Sequence, residues 1–150
     1  MTSIPRAPLF LGLAGLIPFL WGAATVVSDD LAEFALNSLG ARFVGPYVQL
    51  AYGSIILSFM SGVLWGFATK ASGAQAAVGY ALSVVPALWA FFMVGGGPTS
   101  AAMNLIFGFA GLLMLDFAFS AWGLTPRWWM ALRILLTAVV IACLGLTVMI

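Results

Sequence analysis

Residues 52–70 read YGSIILSFMSGVLWGFATK, and the spacing of small residues in this stretch decides the fold. Ser54, Ser58, Gly62 and Gly66 stand four positions apart. Because residues four apart lie on one face of a helix, they predict a strip of small side chains about 18 Å long, which we call the small-residue groove. In water this face would bury little apolar surface, whereas in a bilayer it allows close approach of another helix. The stretch therefore predicts the central span of an integral membrane protein.

The composition of the whole chain points the same way. Its 150 residues are 64% hydrophobic and 6% charged, with a net charge of +1 and a mean hydropathy of +1.18. A soluble domain of this size needs a polar shell that these residues cannot supply, and no basic surface for nucleic acid is present. Histidine is absent and Cys143 is the only cysteine, so the usual haem ligand, zinc ligand and general base are missing. We therefore expect no cofactor, no metal site and no enzymatic activity.

Five apolar runs are each about long enough to cross the hydrocarbon core of a membrane. They predict an all-α bundle in a single domain, residues 1–150, with spans at about residues 9–27, 43–69, 76–94, 101–123 and 128–149. Pro18 and Pro86 lie inside the first and third runs, where proline predicts a kink. The first run also resembles a signal peptide, but it is long for a signal core, and we interpret it as a span.

The stretch between the first two spans is the most polar part of the chain. Ser28 or Asp29 can cap a helix there, and Gly40 suits its end. This pattern predicts a short amphipathic helix that lies in the membrane interface or covers the end of the bundle. The three nearby acids could instead hold a divalent cation, but their spacing matches no known loop motif, and we favour the solvated helix.

The distribution of basic residues predicts the orientation of the bundle. With five spans, Arg6, Lys70, Arg127 and Arg133 fall on one side, while Arg42 stands alone beside three acids on the other. Since loops rich in Lys and Arg stay inside, we expect the amino terminus inside and the carboxyl terminus outside.

Asp116 is the residue that most invites a chemical role, because it lies in the apolar run GLLMLDFAF of the fourth span. An intramembrane carboxylate costs about 2.5–3.5 kcal/mol unless it is paired, protonated or facing a cavity. Arg133 lies at a comparable depth in the fifth span, across the turn at Pro126. We therefore hypothesise an Asp116–Arg133 ion pair. We interpret this pair as a structural staple, an ion pair that holds the fourth and fifth spans together. The alternative is a proton-relay or substrate-binding role.

Other polar and aromatic residues in the spans favour packing roles. Gln49 and Asn104 are each expected to hydrogen-bond a neighbouring helix. Trp128 and Trp129 lie near a span end and are typical of an aromatic belt. The small-residue groove is expected to pack within the bundle, although a partner's helix, a lipid or a quinone tail could also occupy it.

Several motifs together resemble one known family. In order along the chain they read GLAGLIPFLWG, YGSIILSFMSGVLWGFA, LSVVPALWAFF, LDFAF and LTPRWWMALRILLT. This series resembles the domain of unknown function 3429 family, the transmembrane protein 69-like inner-membrane proteins. The chain departs from the family pattern at Ser61, where members often have glycine, and at Trp129, where they often have tyrosine. The resemblance implies a multi-pass protein of the bacterial inner (cytoplasmic) or mitochondrial inner membrane and brings no established activity.

Two function classes follow from these observations. The first is a non-catalytic accessory or assembly subunit of a respiratory or photosynthetic inner-membrane complex, with the lipid bilayer and another membrane protein as partners. The alternative is a small transporter or proton-conducting protein that uses Asp116. An enzyme ranks third, because no nucleophile–base pair or metal-binding constellation is visible.

Overall fold

The computed structural model describes residues 3–150, and these residues form helices without any β-strand. Eight α-helices and one 3-10 helix follow one another along this part of the chain. Their bounds are α1 Arg6–Ala14, α2 Ile17–Val27, α3 Asp29–Ser38, the 3-10 helix Ala41–Phe43, α4 Tyr47–Ala68, α5 Gly73–Ser83, α6 Val85–Met93, α7 Pro98–Ala121 and α8 Trp129–Met149.

Five helical stretches are long and apolar enough to cross a membrane, which confirms the predicted all-α fold class. α4, α7 and α8 are continuous, whereas α1 with α2 and α5 with α6 each form one interrupted span. The second span begins at Tyr47, later than the predicted residue 43, because the preceding segment forms the separate 3-10 helix. The third and fourth spans each begin three residues earlier than predicted, at Gly73 and Pro98.

Both interrupted spans break just before a proline. The helix stops between Ala14 and Ile17 ahead of Pro18, and again at Val84 ahead of Pro86. In each case the proline occupies one of the first two positions of the following helix, where its missing N–H breaks no helical hydrogen bond. The kinks predicted from the sequence are therefore short breaks upstream of the two prolines.

α3 is the short helix predicted between the first two spans. The Oγ atom of Ser28 accepts a hydrogen bond of 3.2 Å from the Leu31 N–H, which caps the helix. Gly40 follows its end with a φ of +104°, a conformation that favours glycine. Ala35 is fully buried against the bundle, while Phe34 is 56% exposed. The helix therefore lies over the bundle with apolar side chains free to contact lipid.

The segment ahead of α4 rests directly on α2. The Gly45 N–H donates a 2.8 Å hydrogen bond to Thr25 Oγ1, and this hydroxyl donates to the Gly22 carbonyl oxygen at 2.9 Å. A β-carbon at Gly45 would overlap the backbone of Gly22. Two glycines therefore allow backbone-to-backbone contact here, just ahead of the start of α4.

α4 is the centre of the bundle, since it packs against α2, α5, α6 and α7, while α7 and α8 form an antiparallel hairpin. The core between these helices is apolar. Its largest fully buried apolar side chains are Phe19, Leu57, Leu64, Leu105, Phe109, Leu112, Phe119 and Leu144. Large apolar side chains also cover the outside, among them Phe91 at 78% exposure and Met114 at 72%. Such a surface would be an aggregation liability in water, but suits a bundle surrounded by lipid.

The connection after α4 and the connection after α7 lie at the same end of the bundle. Lys70 Nζ donates a hydrogen bond of 3.4 Å to the Leu124 carbonyl oxygen and joins the two. Lys70 and the turn that carries Arg127 therefore share one end, as spans of alternating direction require. The side of the membrane that this end faces stays a prediction from charge.

Candidate functional site

The structure brings Asp116 of α7 and Arg133 of α8 together in the bundle interior. Arg133 Nε donates to Asp116 Oδ2 at 2.9 Å, and the Asp116 side chain is fully buried. The pairing follows from the hairpin, because the turn after Ala121 is short and Gly123 adopts a φ of +74° within it. Residues at similar distances from that turn then lie at the same depth on adjacent helices.

Trp129 completes this cluster, in a role that the sequence reasoning missed. Its Nε1–H donates a 3.0 Å hydrogen bond to Asp116 Oδ1, so both carboxylate oxygens have partners. The interpretation of Trp129 as a residue of an aromatic belt is incomplete, since its indole nitrogen is turned inward. Its position four residues before Arg133 could have revealed this, because residues i and i+4 share a helix face.

Gln49 is a second buried polar centre and joins three helices. Its side chain is fully buried. Nε2 donates to the Phe19 carbonyl oxygen of α2 at 3.0 Å, and Oε1 accepts from Thr147 Oγ1 of α8 at 2.7 Å. The structure thus places Gln49 in an interhelical hydrogen-bonding position that links α4 to α2 and α8.

Asn104 makes a comparable connection between α7 and α6. Its Nδ2 donates to the Met93 carbonyl oxygen at 3.0 Å, and its own backbone carbonyl accepts from Trp89 Nε1 at 2.6 Å. The polar nitrogen of Trp89 in α6 is therefore satisfied within the bundle.

Most of the small-residue groove faces away from the rest of the chain, and only Ser54 at its start is half-buried. Ser58, Gly62 and Gly66 are exposed, and open space surrounds the positions where β-carbons on the two glycines would lie. Ser54 Oγ and Ser58 Oγ donate to carbonyl oxygens one turn earlier in α4, at 2.8 and 3.0 Å, and thus make no interhelical bond. The expectation that this groove packs within the bundle is not met in residues 3–150.

A different face of α4 packs against the bundle. Its buried residues include another set of small side chains, interleaved with leucines: Gly53, Leu57, Ser61, Leu64 and Ala68. Both faces satisfy the helical spacing, so the pattern of small residues alone does not indicate which face turns inward. The structure shows that the second face turns inward, because Leu57 and Leu64 are fully buried there.

Ser61 serves the broken third span. Its Oγ atom accepts a 2.8 Å hydrogen bond from the Ala87 N–H. Ala87 is in the first turn of α6, where backbone N–H groups have no partner within the helix. The serine that distinguishes this chain from the pattern of its resembling family therefore caps α6 from a neighbouring helix.

We expect Ser61→Ala to lower the free energy of unfolding by about 1–3 kcal/mol, because it leaves the half-buried Ala87 N–H of a membrane span without an acceptor. Ser58→Ala is the matched control, since Ser58 is exposed and bonds only its own helix. Detergent-based unfolding followed by circular dichroism measures both. Equal stability of the two variants would contradict the capping role.

No metal-binding cluster is present in the described part of the chain. Residues 3–150 contain no group of three His, Cys, Asp or Glu side chains arranged to hold a metal ion. The polar side chains that do meet inside the bundle form hydrogen bonds between helices, and this arrangement is typical of packing in a membrane rather than of coordination chemistry.

Comparison with known proteins identifies the family. Residues 4–149 match the family described as "Protein of unknown function (DUF3429)". The chain belongs to this family. This DUF3429 chain is 35% identical to transmembrane protein 69 of Xenopus tropicalis over 146 residues, which are 94% of the chain and 53% of that protein. It is 29% identical to transmembrane protein 69 of Mus musculus over 143 residues, 93% of the chain and 54% of that protein.

These relatives agree with the fold. The chain spans about half the length of the curated relatives it matches, and no solved structure matches it. The family match confirms the resemblance drawn from the motifs. Together with the five apolar helices, the relatives indicate a multi-pass membrane protein.

Proposed function

We propose that this chain is a non-catalytic accessory or assembly component of an inner-membrane complex, respiratory or photosynthetic, and that a transmembrane helix of a partner protein packs into its small-residue groove. The observation that carries this proposal is the outward direction of the groove. The bacterial-type inner membrane is inferred from the resemblance of the motifs, and the orientation with the amino terminus inside is inferred from the basic residues.

The closed state of Asp116 favours a structural role over transport. A proton relay needs a carboxylate that can exchange its partners with water or another acceptor. Both oxygens of Asp116 already accept hydrogen bonds, from Trp129 and Arg133, and the side chain is fully buried. The alternative of a transporter or proton-conducting protein therefore receives less support from this geometry than a staple between α7 and α8.

The chemistry of the groove favours a helix as its occupant. Glycines on a helix surface let a second backbone approach closely, so van der Waals packing can accumulate along several turns. The hydroxyls of Ser54 and Ser58 already donate hydrogen bonds within α4, so the occupant of the groove does not have to supply an acceptor for them. An apolar helix with small residues on its own contact face fits this surface.

Mild-detergent purification of the tagged protein, with mass spectrometry of associated proteins, tests the proposal. We expect stoichiometric recovery with a membrane complex, and at least a tenfold loss of that recovery for Gly62→Leu and Gly66→Leu, because leucine blocks close backbone approach. Gly111→Leu on α7 is the matched control, because Gly111 also faces open space.

Three results would argue against the proposed function. Recovery of the wild type alone, as a monodisperse small protein, contradicts a stable subunit. A partner retained by both groove variants contradicts the groove as the contact. Recovery of only a lipid or a quinone, lost in the groove variants, would assign the groove to that ligand instead.

A further inference from the structure

A cavity of about 390 Å³ lies beside the ion pair, between α1, α2, α4, α7 and α8. We call it the lateral cavity. Its size falls in the range of small-molecule sites. The wall is mainly apolar and includes Leu16, Phe19, Ile56, Met60, Phe109 and Leu132. Arg133 and Thr137 contribute polar groups to this wall.

These two polar residues retain unused hydrogen-bonding capacity. Arg133 is 5% exposed and Thr137 is 2% exposed. Among residues 3–150, neither Arg133 Nη2 nor Thr137 Oγ1 has a hydrogen-bond partner. They lie one turn apart on α8, so both belong to the same helix face. A buried donor without an acceptor is costly, so an acceptor supplied from the cavity would stabilise both side chains.

The lateral cavity opens toward the lipid-facing surface. Leu11 of α1 and Phe59 of α4 line it and are 74% and 65% exposed. A molecule that enters between these two side chains comes from the membrane, because the helices that carry them are membrane spans. The occupant must therefore be soluble in the bilayer and largely apolar.

The charges of Asp116 and Arg133 determine whether the polar group of the occupant can be charged or must be neutral. Asp116 already neutralises Arg133 through the 2.9 Å pair. A second anion would leave the cluster with an uncompensated buried charge, which is strongly unfavourable in apolar surroundings. A neutral carbonyl oxygen adds no charge and has two lone pairs, enough to accept from both donors.

We propose that the lateral cavity binds a neutral, membrane-soluble molecule whose carbonyl oxygen accepts hydrogen bonds from Arg133 and Thr137. Two sources supply this chemistry: a quinone ring with an apolar tail, and the ester carbonyl of a membrane lipid. The proposal rests on the cavity and its two donors, so it is independent of the small-residue groove and of the proposed subunit function.

Binding of a decyl-substituted benzoquinone to the purified protein tests the first source. The readout is saturable quenching of tryptophan fluorescence, since Trp129 lines the cavity. Thr137→Val removes the hydroxyl with little change of shape and should weaken binding about threefold to tenfold, the value of one hydrogen bond. Thr69→Val makes the same change at an exposed position and should leave binding unchanged.

A second pair of variants tests whether the quinone binds in the lateral cavity, by adding side-chain volume there. Leu136→Phe fills the cavity and should weaken quinone binding by more than about tenfold. Leu135→Phe is its matched control, because Leu135 is the preceding residue of α8, is 42% exposed and lies outside the cavity wall.

Native mass spectrometry after delipidation tests the second source, with ester-linked and ether-linked phosphatidylcholine as probes. Preferential retention of the ester lipid, lost in Thr137→Val, supports the proposal with a lipid as occupant. Quinone binding that depends on Thr137 and Leu136 supports it with a quinone. Equal behaviour of wild type and variants toward both probes overturns the proposal, and so does tighter binding of palmitate, a charged carboxylate, than of either neutral probe.

Discussion

Replacing Asp116 with alanine is expected to lower the free energy of unfolding by about 3–5 kcal/mol. The change removes the carboxylate that compensates Arg133, whose side chain is almost fully buried, and leaves the Trp129 N–H without its acceptor. An uncompensated buried charge accounts for most of the loss. Unfolding in mixed dodecyl maltoside and SDS micelles, followed by circular dichroism, measures the difference.

Two comparison variants isolate the ion pair. Asp30→Ala removes an exposed carboxylate from α3 and should change stability by less than about 0.5 kcal/mol. The double variant Asp116→Leu with Arg133→Met removes both charges and should recover most of the loss. A double variant as unstable as the single one would show that the two residues do not act as a pair.

The variant Asp116→Asn distinguishes a structural role of Asp116 from a role in transport. Asparagine retains an oxygen acceptor but loses the charge, so partial stability should remain. If this variant folds and any proton or solute movement measured in vesicles is abolished, the staple interpretation fails.

Gly45→Ala is the second change for which we expect a large effect, a loss of about 3 kcal/mol in the free energy of unfolding. The new β-carbon would overlap the carbonyl group of Gly22, and a backbone atom cannot move aside as a flexible side chain can. The segment would have to lift from α2, which would also strain the hydrogen bond from the Gly45 N–H to Thr25. The same micelle-based unfolding measurement applies.

Gly62→Ala is the control, and we expect it to change the free energy of unfolding in the opposite direction to Gly45→Ala. Gly62 lies within α4 with open space around its would-be β-carbon, so alanine should stabilise the helix by about 0.5–1 kcal/mol. If both alanine variants shift stability in the same direction, the close contact between Gly45 and Gly22 does not control the packing of α2 against α4.

The sequence predicted those features that depend on local composition. Five apolar runs predicted five spans because length and hydropathy are properties of a segment alone. The proximity of Asp116 and Arg133 followed from a short turn that makes α7 and α8 antiparallel neighbours. The breaks near Pro18 and Pro86 were predictable because proline removes a helical donor wherever the helix lies.

Features that depend on the choice of helix faces were not predictable in the same way. α4 carries small residues on two faces, and only its packing against α2, α5, α6 and α7 reveals which face is inside. Ser61 and Trp129 looked like minor departures from a family pattern, yet each bonds a group on another helix. The lateral cavity needs five helices to form its wall.

α8 supplies the partners that complete both buried polar centres. Thr147 donates to Gln49, while Arg133 and Trp129 donate to Asp116. α8 is the last helix of the described chain to be synthesised. Until it is present, the carboxylate of Asp116 on α7 has no partner from α8, and an unpaired carboxylate in the membrane costs about 2.5–3.5 kcal/mol. Arrival of α8 removes this cost, because Arg133 and Trp129 then supply the partners of Asp116. A bundle without α8 would keep an unpartnered carboxylate at Asp116 and an unpartnered amide oxygen at Gln49 within the bilayer.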